Sequence, residues 1–170
     1  MDDELERRRR WFETYCDAAS QGVHKPVRPG IRYGCPCCGY PTLSERGGYE
    51  ICWLCNWEDD GQDDPHAEEV WGGPNGPYSL AAARANFKRY LIMHDPAEPS
   101  KRIGGNSNTA IEQEAKRATV KAFDMLARTS EPRHVEQLSK LVRENFEVLQ
   151  RELRRKIADY ERQASRDGLQ

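Results

Sequence analysis

The sequence predicts an α+β protein, mostly helical, in which a small zinc-ribbon-like β-hairpin module sits between an N-terminal helix and a C-terminal helical hairpin. Three observations carry this expectation. Two C-x2-C pairs, Cys35/Cys38 and Cys52/Cys55, enclose a thirteen-residue spacer in a stretch dense in turn formers. Residues 3–20 are good helix formers with neither Gly nor Pro. Beyond Pro132, the residues Leu138, Val142, Phe146, Leu149, Leu153, Ile157 and Tyr160 recur every three or four positions, the period of a helix with one buried face. The chain divides accordingly into an N-terminal helix and linker (1–32), a cysteine-rich module (33–95) and a helical tail (96–170).

In the first helix Leu5, Trp11, Phe12, Tyr15 and Cys16 form a loosely periodic apolar face, with Cys16 a buried small apolar residue. The run Arg7 to Arg10 reads as a solvated face balanced by Asp2, Asp3, Glu4 and Glu6, with a nucleic-acid arm as the other reading. Pro26, Pro29 and Gly30 mark an extended linker. In the module, strands are expected around Tyr40 to Ser44 and Tyr49 to Trp53, joined by a hairpin turn at Arg46-Gly47-Gly48. Ser79 is the expected N-cap of a helix through Ile92 that buries Leu80, Ala83, Phe87, Tyr90 and Leu91.

A second linker spans Pro96 to Ser107. The helix after it, to about Arg128, is expected to bury Ile111, Ala115, Ala118, Ala122, Phe123 and Leu126. Pro132 suits the first turn of the last helix, to about Ala164. Its long stripe needs a helical partner, either the preceding helix or a second copy in a homodimer.

Composition narrows the function classes. The chain is 37% hydrophobic and 32% charged, which points to a thin core. No apolar run reaches the roughly 20 residues of a membrane span, and the N-terminus lacks the apolar run of a secretory signal. The expectation is a soluble cytoplasmic protein without a membrane role. In a reducing compartment clustered cysteines ligate metals or catalyse more often than they pair. Net charge is −2, but residues 35–95 hold ten acids against four bases, while both flanks are mildly basic.

Two C-x2-C pairs at hairpin spacing can place four sulfurs tetrahedrally around one ion. Cys35, Cys38, Cys52 and Cys55 are therefore the expected ligands of a structural Zn2+, with iron as the alternative for the same tetrahedral set. Pro36 and Gly39 suit a tight turn aiming backbone N–H groups at sulfur, and Cys37 inside it is a spectator. A dithiol redox site would need a helix beginning at the motif, and Gly39-Tyr40-Pro41 opposes one. Metal binding of this kind is folding free energy, about 10 kcal/mol in small zinc peptides.

The acids Glu58, Asp59, Asp60, Asp63 and Asp64 follow the second pair. They form a solvated loop, a docking surface for a basic protein partner, or a second carboxylate cluster; a calcium loop is excluded because its last ligand position falls on Ala67. His66 reads as a surface residue.

Cys35-Pro36-Cys37-Cys38-Gly39-Tyr40, Ile51 through Gly61, Gly72 through Gly76, and Ser79-Leu80 with Ala83 through Phe87 resemble, in that order, the bacterial cysteine-rich CPCC domain family over residues 33 to 90. The resemblance implies a small zinc-binding domain, at times beside toxin and immunity genes. It also implies that Arg84, Asn86 and Phe87 belong to the module. Read from the residues themselves, Arg84 is expected either to pair with Glu58, Asp59 or Asp60 and tie its helix to the loop, or to leave those acids to face a partner. Three function classes follow. The first is a zinc-binding protein–protein interaction module, immunity- or antitoxin-like. The second is a nucleic-acid binder using Arg7 to Arg10 and the basic run Arg151 to Lys156. The third is an enzyme using Glu58, Asp59, Asp60 and Asp64 beside His66.

Overall fold

The computed structural model describes residues 3–98 and 107–166; of the expected second linker, Pro99 to Asn106 lie outside the described residues. The architecture is α+β and mostly helical. Helix α1 (Asp3–Ser20) precedes a two-stranded antiparallel sheet, β1 (Tyr33–Gly34) and β2 (Pro41–Leu43), and helices α2 (Leu80–Tyr90), α3 (Ala110–Leu126) and α4 (Pro132–Arg166) follow. No helix among the described residues is long and apolar enough to cross a membrane.

Helix starts obey local chemistry. Ser79 caps α2, its hydroxyl accepting from Ala82 N, one of the donors a helix start leaves unpaired. Helix α2 stops at Tyr90 rather than Ile92, because Leu91 takes a left-handed conformation that closes the last turn onto Phe87. Thr109 and Glu112 form a reciprocal capping box at the start of α3. Buried Leu80, Ala83 and Phe87 match the expected face of α2, whereas Tyr90 and Leu91 stay half-buried.

The expected strand pairing is corrected. Residues 40–44 and 49–53 do not pair across Arg46-Gly47-Gly48; β2 pairs with β1, and the second segment keeps only a bridge between Ile51 and Glu58. Each C-x2-C folds back on its own flanks so that both of its sulfurs reach one centre, and backbone hydrogen bonds are spent inside each turn. Cys35 N donates to Tyr40 O at 2.9 Å and Gly39 N to Cys35 O at 2.8 Å; Cys52 N donates to Trp57 O and Asn56 N to Cys52 O, both at 2.8 Å. The two knuckles repeat each other, down to left-handed residues at Gly39 (φ 76°) and Asn56 (φ 70°) and fully buried aromatics at Tyr40 and Trp57.

One buried cluster draws residues from all three segments of the sequence. Phe12 of α1 meets Tyr40 and Phe123 edge-on at 5.8 and 5.3 Å, and Tyr40 stacks on Phe123 of α3 at 5.0 Å. Burying each ring contributes about 2 kcal/mol, and aromatic pairing adds about 1 kcal/mol per contact. Tyr15 and Ser139 share a hydroxyl hydrogen bond at 3.0 Å that ties α1 to α4, and the buried Cys16 lies in the same cluster. The hydrophobic deficit of the composition is thus met by pooling the helices and the knuckles into one core.

Helices α3 and α4 pack on each other as a hairpin, joined at the start of α3 by Thr109 Oγ1 donating to Glu152 at 3.1 Å and by the Lys156–Glu112 ion pair at 2.6 Å. The buried face of α3 is turned from the expected one. Ile111 is exposed and Ala118 half-buried, while Glu112, Lys116 and Thr119 face inward with Ala115, Ala122, Phe123 and Leu126. On α4, Val142 and Leu149 are buried, but Leu153 and Tyr160 are exposed. Beyond Glu152 every described residue of α4 is exposed or half-buried, so only part of the stripe finds cover within the chain.

Candidate metal centre

The knuckles bring together the four cysteines expected as ligands. Sγ of Cys35, Cys38, Cys52 and Cys55 lie within 4.8 Å of one another. Cys35 and Cys55 approach to 3.6 Å and Cys38 and Cys52 to 3.8 Å. A tetrahedron with metal–sulfur bonds near 2.3 Å has sulfur–sulfur edges of about 3.8 Å, so these two approaches match tetrahedral edges and the four sulfurs are gathered closely enough to hold one metal ion. All four residues are at most 1% exposed.

Burial pushes the thiols of Cys35, Cys38 and Cys55 well above their ordinary value. Burial acts the same way on Cys52, but hydrogen bonds from the other three thiols and from Thr42 outweigh it and hold Cys52 well below. The Thr42 hydroxyl lies 3.0 Å from Cys52 Sγ, and Cys55 N donates to the same sulfur at 3.5 Å. Four thiolates at this spacing need a cation at their centre. Cys37 is buried at 2% exposure and stands outside the set of four, as expected of it.

The arginine run divides: Arg7 and Arg10 are exposed, Arg10 balanced by Glu6 as expected of a solvated face, while Arg8 and Arg9 turn inward. Arg8 Nη1 donates to the Cys38 carbonyl at 3.1 Å while its guanidinium lies 4.3 Å from the centre of the Tyr40 ring. Arg9 Nη2 donates to the Pro36 carbonyl at 2.7 Å, and Arg84 Nε of α2 reaches the same carbonyl at 3.0 Å. Arg8 and Arg9 are therefore neither a solvated face nor a free nucleic-acid arm; their side chains are 17% and 18% exposed. A signal was present in the sequence. Positions 8 and 9 fall between Leu5 and Phe12 at helical spacing and so share the inward stripe.

The acids are distributed among these cations. Asp64 accepts from Arg9 Nη1 at 2.9 Å and from Arg84 Nη2 at 2.5 Å. The expected partners of Arg84 are thus corrected: Asp64 takes it in place of Glu58, Asp59 or Asp60, because the loop turns after Gly61 and brings Asp64 over the Pro36 carbonyl. Burial alone would raise the carboxyl pKa of Asp64, but Arg84 and Arg9 outweigh it and hold that pKa below its ordinary value. Asp63 reaches Arg9 and Arg46. Asp59 has no exposed surface to offer a partner; it binds Arg46 at 2.9 Å and Gly47 N at 2.8 Å, closing the loop between the knuckles. Buried Asn75, from the Gly-Asn turn, accepts from Glu58 N and donates to Glu58 O and Asp60 Oδ2. Glu58 and Asp60 stay half-buried, and His66 is exposed beside Glu69.

Residues 33–116 match the model of a family described as Cysteine-rich CPCC. The matched segment runs past the expected end near residue 90 and into α3, as far as Lys116. Neither a curated protein nor a solved structure matches the chain.

Proposed function

Since residues 33–116 belong to the cysteine-rich CPCC family, we propose that the chain is a zinc-stapled interaction module, in which Cys35, Cys38, Cys52 and Cys55 hold one structural Zn2+ and the acidic surface around them meets a basic protein. The observation that supports a structural metal is closure: four sulfurs complete the tetrahedron and all are buried. Catalytic zinc sites keep a coordination position open for water or substrate. Zinc is read ahead of iron as the common occupant of structural four-thiolate sites.

The charge of the module supports the kind of partner. Residues 35–95 carry ten acids and four bases, and four thiolates around one divalent ion add about −2. Glu58, Asp60, Asp63 and Asp64 keep partly exposed carboxylates beside the exposed Glu45, Glu68 and Glu69, while Asp59 serves the fold. Such a surface speeds encounter with a basic protein and repels phosphate. With Arg8 and Arg9 engaged internally, nucleic-acid binding would fall to the basic run of α4, Arg151 to Lys156. An immunity-like role, masking a basic toxin, is the specific form that fits. Exposed Leu153 and Tyr160 favour a homodimer through α4 as a separate reading, tested by sedimentation of the Leu153→Glu chain.

Elemental analysis of the purified chain tests the metal, with about one equivalent of zinc expected and less than half an equivalent overturning the assignment. Capture of binding proteins from the native host, before and after Glu58→Lys with Asp60→Lys, tests the partner. A basic protein lost on charge reversal supports the reading, and capture that nuclease treatment abolishes refutes it.

A further inference from the structure

Helix α3 carries a lysine where a core-facing position calls for an apolar residue. Lys116 is 3% exposed, and its Nζ donates to the Leu91 carbonyl at 3.1 Å. An ammonium has three donors and a full charge, yet among the described residues no carboxylate pairs with it. Glu112, one turn earlier, is taken by Lys156 at 2.6 Å and by its own capping box. A buried cation without a counter-ion is strongly disfavoured, so its charge requires an explanation.

The metal centre supplies one. A cavity of about 280 Å3 opens between the second knuckle and the helical hairpin; Cys52, Trp53 and Asn56 line it together with Glu112, Lys116 and Lys156. Burial pulls the Lys116 pKa down to about 8, against an opposing pull from Glu112 and from Cys55 and Cys52 when these are ionised. The first knuckle already has guanidinium groups at its back, Arg8 on the Cys38 carbonyl and Arg9 and Arg84 on the Pro36 carbonyl. Among the described residues the second knuckle has neutral donors instead, the Thr42 hydroxyl and Cys55 N–H on the Cys52 sulfur and Met93 N–H on the Cys55 carbonyl. Four thiolates around a divalent ion keep a net charge of about −2, and buried negative charge is stabilised by fixed cations and donors.

We propose that Lys116 is the fixed counter-cation of the second knuckle, a positioning residue outside the ligand set that offsets the charge on Cys52 and Cys55 and tightens metal binding. The assignment rests on the metal reading above. It makes α3 part of the metal site: with metal bound, the ammonium faces an anion, and without metal it keeps only the influence of Glu112, a carboxylate already bound to Lys156. Loading the metal thereby favours the docking of the helical hairpin on the knuckles.

The test compares Lys116→Met, Lys116→Gln and Lys116→Arg in the full chain. Against a chromophoric chelator, both neutral variants bind one equivalent of zinc about 10- to 100-fold more weakly than wild type, the usual cost of losing an outer-shell partner, and arginine restores most of the loss. With Co2+ in place of zinc, the sulfur-to-metal charge-transfer band of the neutral variants moves to lower energy, because the thiolates become more electron-rich. Chelator-treated Lys116→Met loses less thermal stability against chelator-treated wild type than the loaded variant loses against loaded wild type, since without metal the main favourable contact removed is the hydrogen bond to the Leu91 carbonyl. Unchanged affinity with an unchanged cobalt band overturns the proposal, as does equal destabilisation of the loaded and stripped chains, which marks a packing role. A wild-type chain that takes up no metal overturns the metal reading itself, before any variant is made.

Discussion

Replacing Asp64 by asparagine keeps the shape of the side chain and removes its charge. The carboxylate accepts from Arg9 at 2.9 Å and from Arg84 at 2.5 Å, and both guanidinium groups also donate to the Pro36 carbonyl, at 2.7 and 3.0 Å. Four chain segments meet at this point: α1, the first knuckle, the acidic loop and α2. A hydrogen bond to a charged group contributes about 1.5–3 kcal/mol, so two give a gross value of about 3–6 kcal/mol. The side chains keep 18% to 33% exposure, and solvent screening cuts the sum to roughly half, about 1.5–3 kcal/mol. Asparagine also leaves two like charges converging on one carbonyl without a shared anion. Urea unfolding of the metal-loaded chain measures the loss. Combined with Arg84→Met, the losses should fail to add by about 1–2 kcal/mol, since the residues share one network. A loss under about 0.5 kcal/mol, or full additivity, would refute the reasoning.

Four further outcomes are expected. The same carboxyl fixes a pH dependence: its folded pKa lies below the ordinary 3.8, so its contribution is complete above that value and is lost as pH falls through the folded value. The stability gap between wild type and Asp64→Asn should therefore be flat from about pH 7 to 5 and close on further acidification; a gap that widens contradicts the assigned sign. Gly39→Ala places a Cβ at φ 76° and 2.6 Å from Leu5 Cδ1, costing about 1–2 kcal/mol in backbone strain plus the displacement of α1. Adding Leu5→Ala should relieve the steric part alone, as read by thermal melting. Tyr40→Phe removes the hydrogen bond to Asp124 at 2.8 Å and keeps the ring stack, costing about 1 kcal/mol. Phe123→Ala empties the centre of the aromatic cluster and should cost about 3–5 kcal/mol in the same assay.

The metal quartet was legible in the sequence because ligation is local: C-x2-C sets the distance between two sulfurs, and Gly39 supplies the backbone angle the turn needs. Helix starts were legible for the same reason at Ser79 and Pro132, where one side chain or ring meets the first turn. The hairpin assignment around Arg46-Gly47-Gly48 failed because the same residues suit two pairings, and the choice depended on where the sulfurs had to converge. The capping box of Thr109 and Glu112 followed a known spacing and was open to detection; the inward turn of Ile111's neighbours Glu112 and Lys116 ran against hydrophobic periodicity.

By itself the sequence determined which four cysteines come together, the helical character of both ends and the acidity of the centre, all properties of residues a few positions apart. The tertiary structure decided where the charges go. Arg9 meets Asp64 across 55 positions and Arg84 meets it across 20, Asp59 turns inward to Arg46, and Lys116 is buried beside Cys52. A charge in a linear sequence has many prospective partners, and only packing, which excludes water and fixes which groups approach within 3 Å, makes one of them strong enough to matter.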